Sequence, residues 1–500
     1  MTYFPAFTPA DLATEFTLDP ATGNLTTTAS QAVPNAPTNI WYVDPTIGKP
    51  TNDGVSPFTP WDLPTALGQA WAANGGAKGM SNPVVKPGDT FLLASGNYGD
   101  LLLQGEYGSK IGWFPNTAGN YFTLQAAPGA TPVFTSIRLM SASNFVFRGL
   151  TVQQVASALP TNNYGALFVV QGDSTNLIID RCSFSSASFA TAATWSATDW
   201  QAKASNGFSQ GRADTVFGPQ FITLTNNSFQ VVGTAIATQN GQGVLIKNNF
   251  INYFCYDGID YAVDSLVIQG NTLLNRVDAS TISWTHPDFM QGQPSGSPLY
   301  SNILIDRNIC VRQTDPHLPL MTADVLSRTT CNGIGTFDGA WSNVAITNNI
   351  VVTQSQYAIE FSGVAGLLIQ NNVTIPDGAN VNSFVGIYLT LSKNADASSS
   401  VIVEGNTSGS FNIDWHVPQA VVLNNMALGG GFNWVGVPGY YANGHPVQNF
   451  PQNNSIQAGA ASVFANVKIV GGVVEALNIN PAAGFNPVWD VTKLPTLVGF

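Results

Sequence analysis

The sequence predicts an all-β solenoid built from short stacked rungs. Three observations carry that prediction. The segments beginning at Ile222, Val244 and Leu266 read Ile-Thr-Leu-Thr-Asn-Asn-Ser-Phe, Val-Leu-Ile-Lys-Asn-Asn-Phe and Leu-Val-Ile-Gln-Gly-Asn-Thr-Leu. They are 22 residues apart, with apolar residues at positions 0, 2 and 7 of each copy. A unit this short cannot bury its own core and must stack on its neighbours. An asparagine recurs five residues after the first position, at Asn227, Asn249, Asn271, Asn308, Asn349, Asn372 and Asn406, with Cys182 in an earlier copy. Finally, only 9% of the 500 residues are charged, far below the usual quarter, while Gly, Asn, Ser and Thr abound. That excludes a coiled coil or a charge-rich disordered chain.

Taken in order, residues 1–39 are rich in Thr, Ala and Pro and read as an N-terminal arm. Residues 40–140 hold a cap and the first rungs, opening with a strand over Ile40–Asp44. Asp62 to Ala73 places Leu63, Ala66, Leu67, Ala70 and Trp71 at helical spacing, so a short amphipathic helix is expected there as a plug. Pro64 falls in its first turn, where proline is tolerated. Lys86-Pro-Gly-Asp-Thr90 is a turn leading into the strand Phe91–Ala94.

Residues 141–430 are the repeats with their functional loops, and 431–500 a closing or assembly segment. First positions fall at Phe145, Leu177, Ile222, Val244, Leu266, Ile303, Val344, Leu367, Val401 and Val421. Long steps carry insertions near 186–215, 276–300, 312–330 and 391–399. Loops on a rigid scaffold are where function concentrates. The asparagine column reads as a ladder, each amide bonding the rungs on either side. A second strand follows about 14 residues after each first position, around Ile236, Ile259, Phe289, Ile334, Ile359, Ile387 and Ile413. With those residues inward, Asp260 and Asp288 point outward.

The formal charge of −12 argues against nucleic acid as a partner, because phosphates demand Lys and Arg. The four cysteines, at 182, 255, 310 and 331, form no CxxC pair and read as buried thiols. No leader peptide and no membrane-spanning run is evident, which predicts no membrane partner.

The short rungs, the asparagine column, Tyr42-Val-Asp-Pro45, the helix and the Pro-Gly-Asp-Thr turn resemble the pectin-lyase-like superfamily. The resemblance covers about 40–430 and implies a single-stranded right-handed parallel β-helix of about ten or more rungs. That superfamily includes polysaccharide lyases, glycoside hydrolases, uronan epimerases and phage tailspike depolymerases. His286-Pro-Asp-Phe-Met-Gln291 is similar to a His-x-Asp-x-x-Gln segment on its active face, and Tyr256-Asp-Gly-Ile-Asp260 to its Asp-Gly-Ile/Val-Asp segments. A clear Arg-x-Lys of the pectin hydrolases and a full Asp-Pro-His-Glu of the alginate epimerases are absent. The tailspike branch implies an extracellular or virion-associated protein, with a homotrimer seam along one flat face.

The chemistry expected on that face is carboxylate chemistry. Asp260 and Asp288 fall on adjacent rungs, offset by two residues, which places their backbones roughly 8 Å apart. That suits an inverting pair, whose carboxyls are about 6.5–9.5 Å apart. Asp257 adds a third carboxylate, and crowding leaves one protonated beside an ionised neighbour. His286 would tune or share the proton. Small residues in the column Gly258, Gly333, Ala358, Gly386 would leave a flat floor for a sugar chain.

Substrate-binding positions are expected at Glu360, Gln291, Trp284, Trp341, Arg312 and Asp414. Trp195 and Trp200 also lie in an insertion, where stacking on sugars competes with packing of the loop. The competing reading of any one aspartate is a turn cap or a Ca²⁺ ligand. The expected partner is a polysaccharide, cleaved hydrolytically. A lyase or epimerase would instead need an arginine or Lys247 as base or charge neutraliser, and a non-catalytic glycan-binding or virion protein would need neither.

Overall fold

The computed structural model describes residues 39–73, 84–104, 121–154, 165–211, 218–277, 287–293, 300–314, 331–336, 341–376, 385–390, 398–414, 417 and 420–427. It also describes the backbone of strands at 16–19, 24–27, 432–435, 455–456, 464–470 and 473–479. The chain divides into two compact units. One comprises Thr27–Ala192 and Ala202–Phe250, the other Met1–Thr26, Ala193–Gln201 and Ile251–Phe500. Each is a coil of parallel rungs, and the protein is a right-handed parallel β-helix.

The register of the first strands follows the repeat read from the sequence. Phe145, Leu177, Ile222 and Val244 stand opposite one another in the first unit. Leu266, Ile303, Val344, Leu367 and Val401 do so in the second. The tenth expected position is off by one. Val421 pairs with Ile402, and it is Val422 that faces Val403 and is buried. Val421 is 45% exposed. The consecutive valines hid the slip, and with it a further member of the asparagine column, Asn425.

Backbone dihedrals explain why the rungs end in Asn-Asn, Gly-Asn or Arg-Asn. The residue before each first position is left-handed, as at Asn144, Asn176, Gly243, Asn302, Asn343 and Gly366. So is the residue four after it, as at Gly149, Arg181, Asn226, Asn248, Gly270, Arg307, Asn348, Asn371 and Gly405. Asn and Gly tolerate this conformation best. Every first strand is thus bracketed by two corners that its own sequence specifies. The second corner aims the next asparagine inward.

There it forms the ladder. In the first unit the Asn227 amide donates to the Oδ1 of Asn249 at 3.0 Å and to the Ile179 carbonyl at 2.9 Å, and its own Oδ1 accepts from the Cys182 N–H at 2.9 Å. In the second unit the chain of amides runs Asn271, Asn308, Asn349, Asn372, Asn406, Asn425, each step 2.9–3.0 Å. Loss of one amide leaves buried donors unsatisfied, at about 1–3 kcal/mol each.

The two cores differ in composition. In the first unit Phe91, Phe122 and Phe145 stack in succession with centroids 6.3 and 5.9 Å apart, and Phe184 lies 4.6 Å from Phe229. The second has more aliphatic stacks, such as Ile268–Ile305 and Ile346–Ile369–Val403, beside buried aromatics such as Phe254 and Phe289. The expected helix runs Leu63–Ala73, with Leu63, Ala66 and Ala70 buried. Asp62 caps it by accepting from the Thr65 N–H at 2.8 Å. In the Pro-Gly-Asp-Thr turn, Asp89 accepts from the Lys86 N–H, the Trp41 indole and the Asn39 amide.

Within 1–39, Phe16–Asp19 and Asn24–Thr27 pair as a two-stranded sheet. Beyond 431, Phe432–Val435 pairs in parallel with Ser410–Asp414, so the coil continues past the expected boundary, and Phe464–Val470 and Val473–Ile479 form an antiparallel hairpin. Among the described residues no helix is long and apolar enough to cross a membrane.

Candidate active site

The second strand of each rung in the second unit presents one continuous outward column. Ile259, Met290, Ile334, Ile359, Ile387 and Phe411 pair in register and are buried as the inward face. The residues after them, Asp260, Gln291, Gly335, Glu360, Tyr388 and Asn412, therefore form the outward one.

Two expectations shift here, one by one residue and the other by two. Sequence reasoning took Phe289 as the inward residue, whereas Met290 occupies that row. Gln291 thereby faces Asp260, and Asp288 lies three residues upstream of that row instead of two, which by strand alternation puts it on the side of Met290 and not on the outward face expected for it; it is 0% exposed. Both Phe289 and Met290 are apolar and both are buried, so the local pattern does not distinguish them. A slip of two residues occurs at the end of the column, where Asn412 takes the place expected for Asp414, because Phe411 and not Ile413 continues the inward row.

The expected flat floor is also corrected. A Cβ at Gly258 would lie 2.6 Å from the Phe289 carbonyl oxygen, one at Gly386 2.6 Å from that of Ser410, and one at Gly333 against that of Ala358. These small residues let adjacent rungs approach; they do not open a surface.

Three carboxylates meet at the head of the column. Asp257 accepts a hydrogen bond from the Asp288 N–H at 2.7 Å. Its side chain also bonds that of Asp260. Burial, then the negative charges of Asp260 and Asp288, push Asp257 well above the usual carboxylate range. Burial first, and the charge of Asp288 second, push Asp260 up to about 7, against a lowering pull from its bond to Asp257. The two carboxyls thus share a proton between them. Asp288 is 0% exposed, while Asp260 keeps partial access to solvent. The cluster therefore has two half-buried members, Asp257 and Asp260, beside one that is fully covered, Asp288.

Further along the column Glu360 accepts from the Thr390 hydroxyl at 3.1 Å, and Tyr388 lies edge-on to Tyr357 with centroids 5.2 Å apart. The sequence reading named Glu360 and Gln291 as binding residues; it put Tyr388 in the outward column without giving it a role and did not name Tyr357. The apolar-x-apolar strand pattern with a polar residue between was the available signal.

Other expected binding residues are withdrawn from the surface. Trp341 is 1% exposed and packs against Tyr261 and Tyr300, each centroid 5.5 Å away. Arg312 is 1% exposed; its carbonyl accepts from the Arg276 N–H at 3.1 Å and its own N–H donates to the Val352 carbonyl at 3.0 Å, which ties adjacent rungs together. Trp195 and Trp200 are buried and pack edge-to-face at 5.2 Å. Large apolar bodies in these insertions serve the loops' own packing. His286 and Trp284 lie outside the described residues.

All four cysteines are buried free thiols. Burial pushes those of Cys182 and Cys255 up to about 12, which makes them poor nucleophiles. Among the described residues no group of three His, Cys, Asp or Glu side chains is placed to hold a metal ion.

No family model and no curated protein sequence matches this chain. Among solved structures it is similar to a rhamnogalacturonan lyase, at 11% identity over 89% of this chain and 96% of that one, with a TM-score of 0.41. It is also similar to the DFA-IIIase of Arthrobacter chlorophenolicus A6, at 12% identity over 88% and 92%, TM-score 0.42. A third likeness is to PfbA, a surface adhesin of Streptococcus pneumoniae, at 12% identity over 78% and 92%, TM-score 0.40. These likenesses assign no activity, and the fold rests on the strand register itself.

Proposed function

We propose that the protein is a carbohydrate-active enzyme that cleaves glycosidic bonds on the outward column of its second unit, by hydrolysis, with Asp260 as general acid. The observation that carries this reading is the three-carboxylate cluster: a half-buried acid, protonated up to about pH 7, hydrogen-bonded to a second half-buried carboxyl and beside the buried Asp288. A glycosidic oxygen must be protonated as its bond breaks, and a carboxyl with a raised pKa delivers that proton near neutrality. Asp257 shares its proton with Asp260. The charge of Asp288 keeps Asp260 loaded and would stabilise positive charge developing on the sugar ring.

Hydrolysis fits better than β-elimination. An elimination site needs a base and a cation beside the substrate carboxylate. Of the described arginines in this unit, Arg276 and Arg312 are buried, and Arg307 is held by Asp306 at 2.6 Å. A protonated Asp260 is an acid, not a base.

The test is incubation with a panel of neutral and acidic bacterial exopolysaccharides. New reducing ends without the ultraviolet absorbance of an unsaturated product are expected, and Asp260→Asn should abolish them. Reducing ends with that absorbance would make the enzyme a lyase. Binding without any cleavage would favour a glycan-binding protein.

A further inference from the structure

The column continues past the carboxylates. Glu360 lies three rungs from Asp260 along one register, through Gln291 and Gly335. At about 4.8 Å per rung that is roughly 14 Å, a distance bridged by a bound chain and not by a single sugar. Tyr388 follows on the next rung in the same column, and Tyr357 stands edge-on to it. Both rings are half-buried, so each is fixed by packing and still offers a face. The Tyr388 hydroxyl is bonded to the Ser410 side chain and feels the charge of Glu360.

We propose that Tyr357, Tyr388 and Glu360 form a subsite for an uncharged, hydroxyl-rich sugar unit of a chain whose scissile bond lies at Asp260. A rigid tyrosine face contributes apolar area at low entropic cost and stacks on the C–H face of a pyranose. A carboxylate beside it accepts from sugar hydroxyls and repels a uronate or sulfate. The subsite thus selects against acidic units, and the substrate class is a neutral glycan, or one that is neutral at this position. This rests on the carbohydrate reading of the column, but its own readout is binding, not cleavage.

The experiment is affinity electrophoresis through gels containing dextran, xylan, mixed-linkage glucan or galactomannan, and the carboxymethylated derivative of each. At least one neutral polymer is expected to retard the protein, its carboxymethylated form about fivefold more weakly. Tyr388→Ala should weaken retention on the neutral polymer about fivefold, while Tyr388→Phe, which keeps the ring, should stay within about twofold. Glu360→Gln should bring the carboxymethylated and neutral forms closer together by about threefold. Unchanged thermal midpoints show that the variants are folded.

The proposal is overturned if no neutral polymer retards the protein, if carboxymethylation makes no difference, or if Glu360→Gln leaves the preference intact. Asp260→Asn separates the two readings. It should keep full retention while losing cleavage. A protein that binds but never cleaves overturns the catalytic reading alone, and one that cleaves with Tyr388→Ala affinity unchanged overturns the subsite alone.

Discussion

Asp180 and Asp306 are buried, as Asp288 is, yet their surroundings differ from those of the candidate catalytic cluster. Asp306 accepts from the Gln269 amide at 3.0 Å, the Arg307 guanidinium at 2.6 Å, the Thr347 hydroxyl at 2.8 Å and the Asn348 amide at 2.9 Å. Asp180 accepts from Arg148 at 3.0 Å, Thr225 at 3.2 Å and Asn226 at 2.9 Å. Both precede an arginine in the left-handed conformation, at positions 181 and 307, and both tie that corner to the next rung. Asp257 and Asp260, by contrast, are each pushed up by burial and by the negative charge of neighbouring carboxylates, Asp288 among them. A carboxylate among donors is a clamp; a carboxylate among carboxylates holds a proton. Burial alone does not separate structure from chemistry in this molecule, whereas the sign of the neighbours does.

The widest test of that contrast is Asp260→Asn. Losing the general acid should lower the cleavage rate about 10²–10⁴-fold with little effect on unfolding, measured by reducing ends and by thermal denaturation. Asp306→Ala should behave in the reverse way. It strands the Arg307, Gln269 and Asn348 donors and should cost about 3 kcal/mol in denaturant unfolding, with the rate per folded molecule unchanged.

The pH dependence sharpens the comparison. Asp260 is raised in the fold, so the folded state binds more protons than the unfolded one between the ordinary carboxylate range and about 7. Stability should therefore fall as pH rises through that window, and Asp260→Asn should flatten the decline. Cleavage should fall above about pH 7, where the acid loses its proton. The smallest effect is expected at Asp100, an exposed carboxylate that accepts from the Ser136 hydroxyl at 2.7 Å. Asp100→Asn should change stability by less than about 0.5 kcal/mol and leave the rate alone.

The solenoid was legible because its period is written in chemistry that repeats: an apolar pair, a left-handed corner and an inward amide. Those features recur at Ile222, Val244, Leu266 and the later rungs, so each copy corrects the reading of the next. The site was legible in part. Asp257, Asp260 and Asp288 were named together because Asp-Gly-Ile-Asp and Pro-Asp-Phe-Met fall on successive rungs. Their mutual placement was not, since a strand with two adjacent apolar residues has two plausible inward faces, and only packing against Ile259 and Ile334 decides for Met290. The tryptophans misled for a similar reason. A large aromatic in an insertion has the same one-letter signature whether it is packed, like Trp341 between Tyr261 and Tyr300, or presented to a ligand.

The asparagine ladder also makes the protein indifferent to the length of what lies between its rungs. Successive ladder members in the second unit are separated by 37, 41, 23, 34 and 19 residues, yet the backbone bond from each N–H to the next side chain stays at 2.8–2.9 Å. The contact reports only on the two corners it joins, and each corner is set by its own left-handed residue. Segments between rungs can be lengthened, shortened or exchanged while the coil keeps its pitch. The fold is in that sense a fixed spindle on which recognition loops can be rewritten one at a time, with the acid at Asp260 left where it stands.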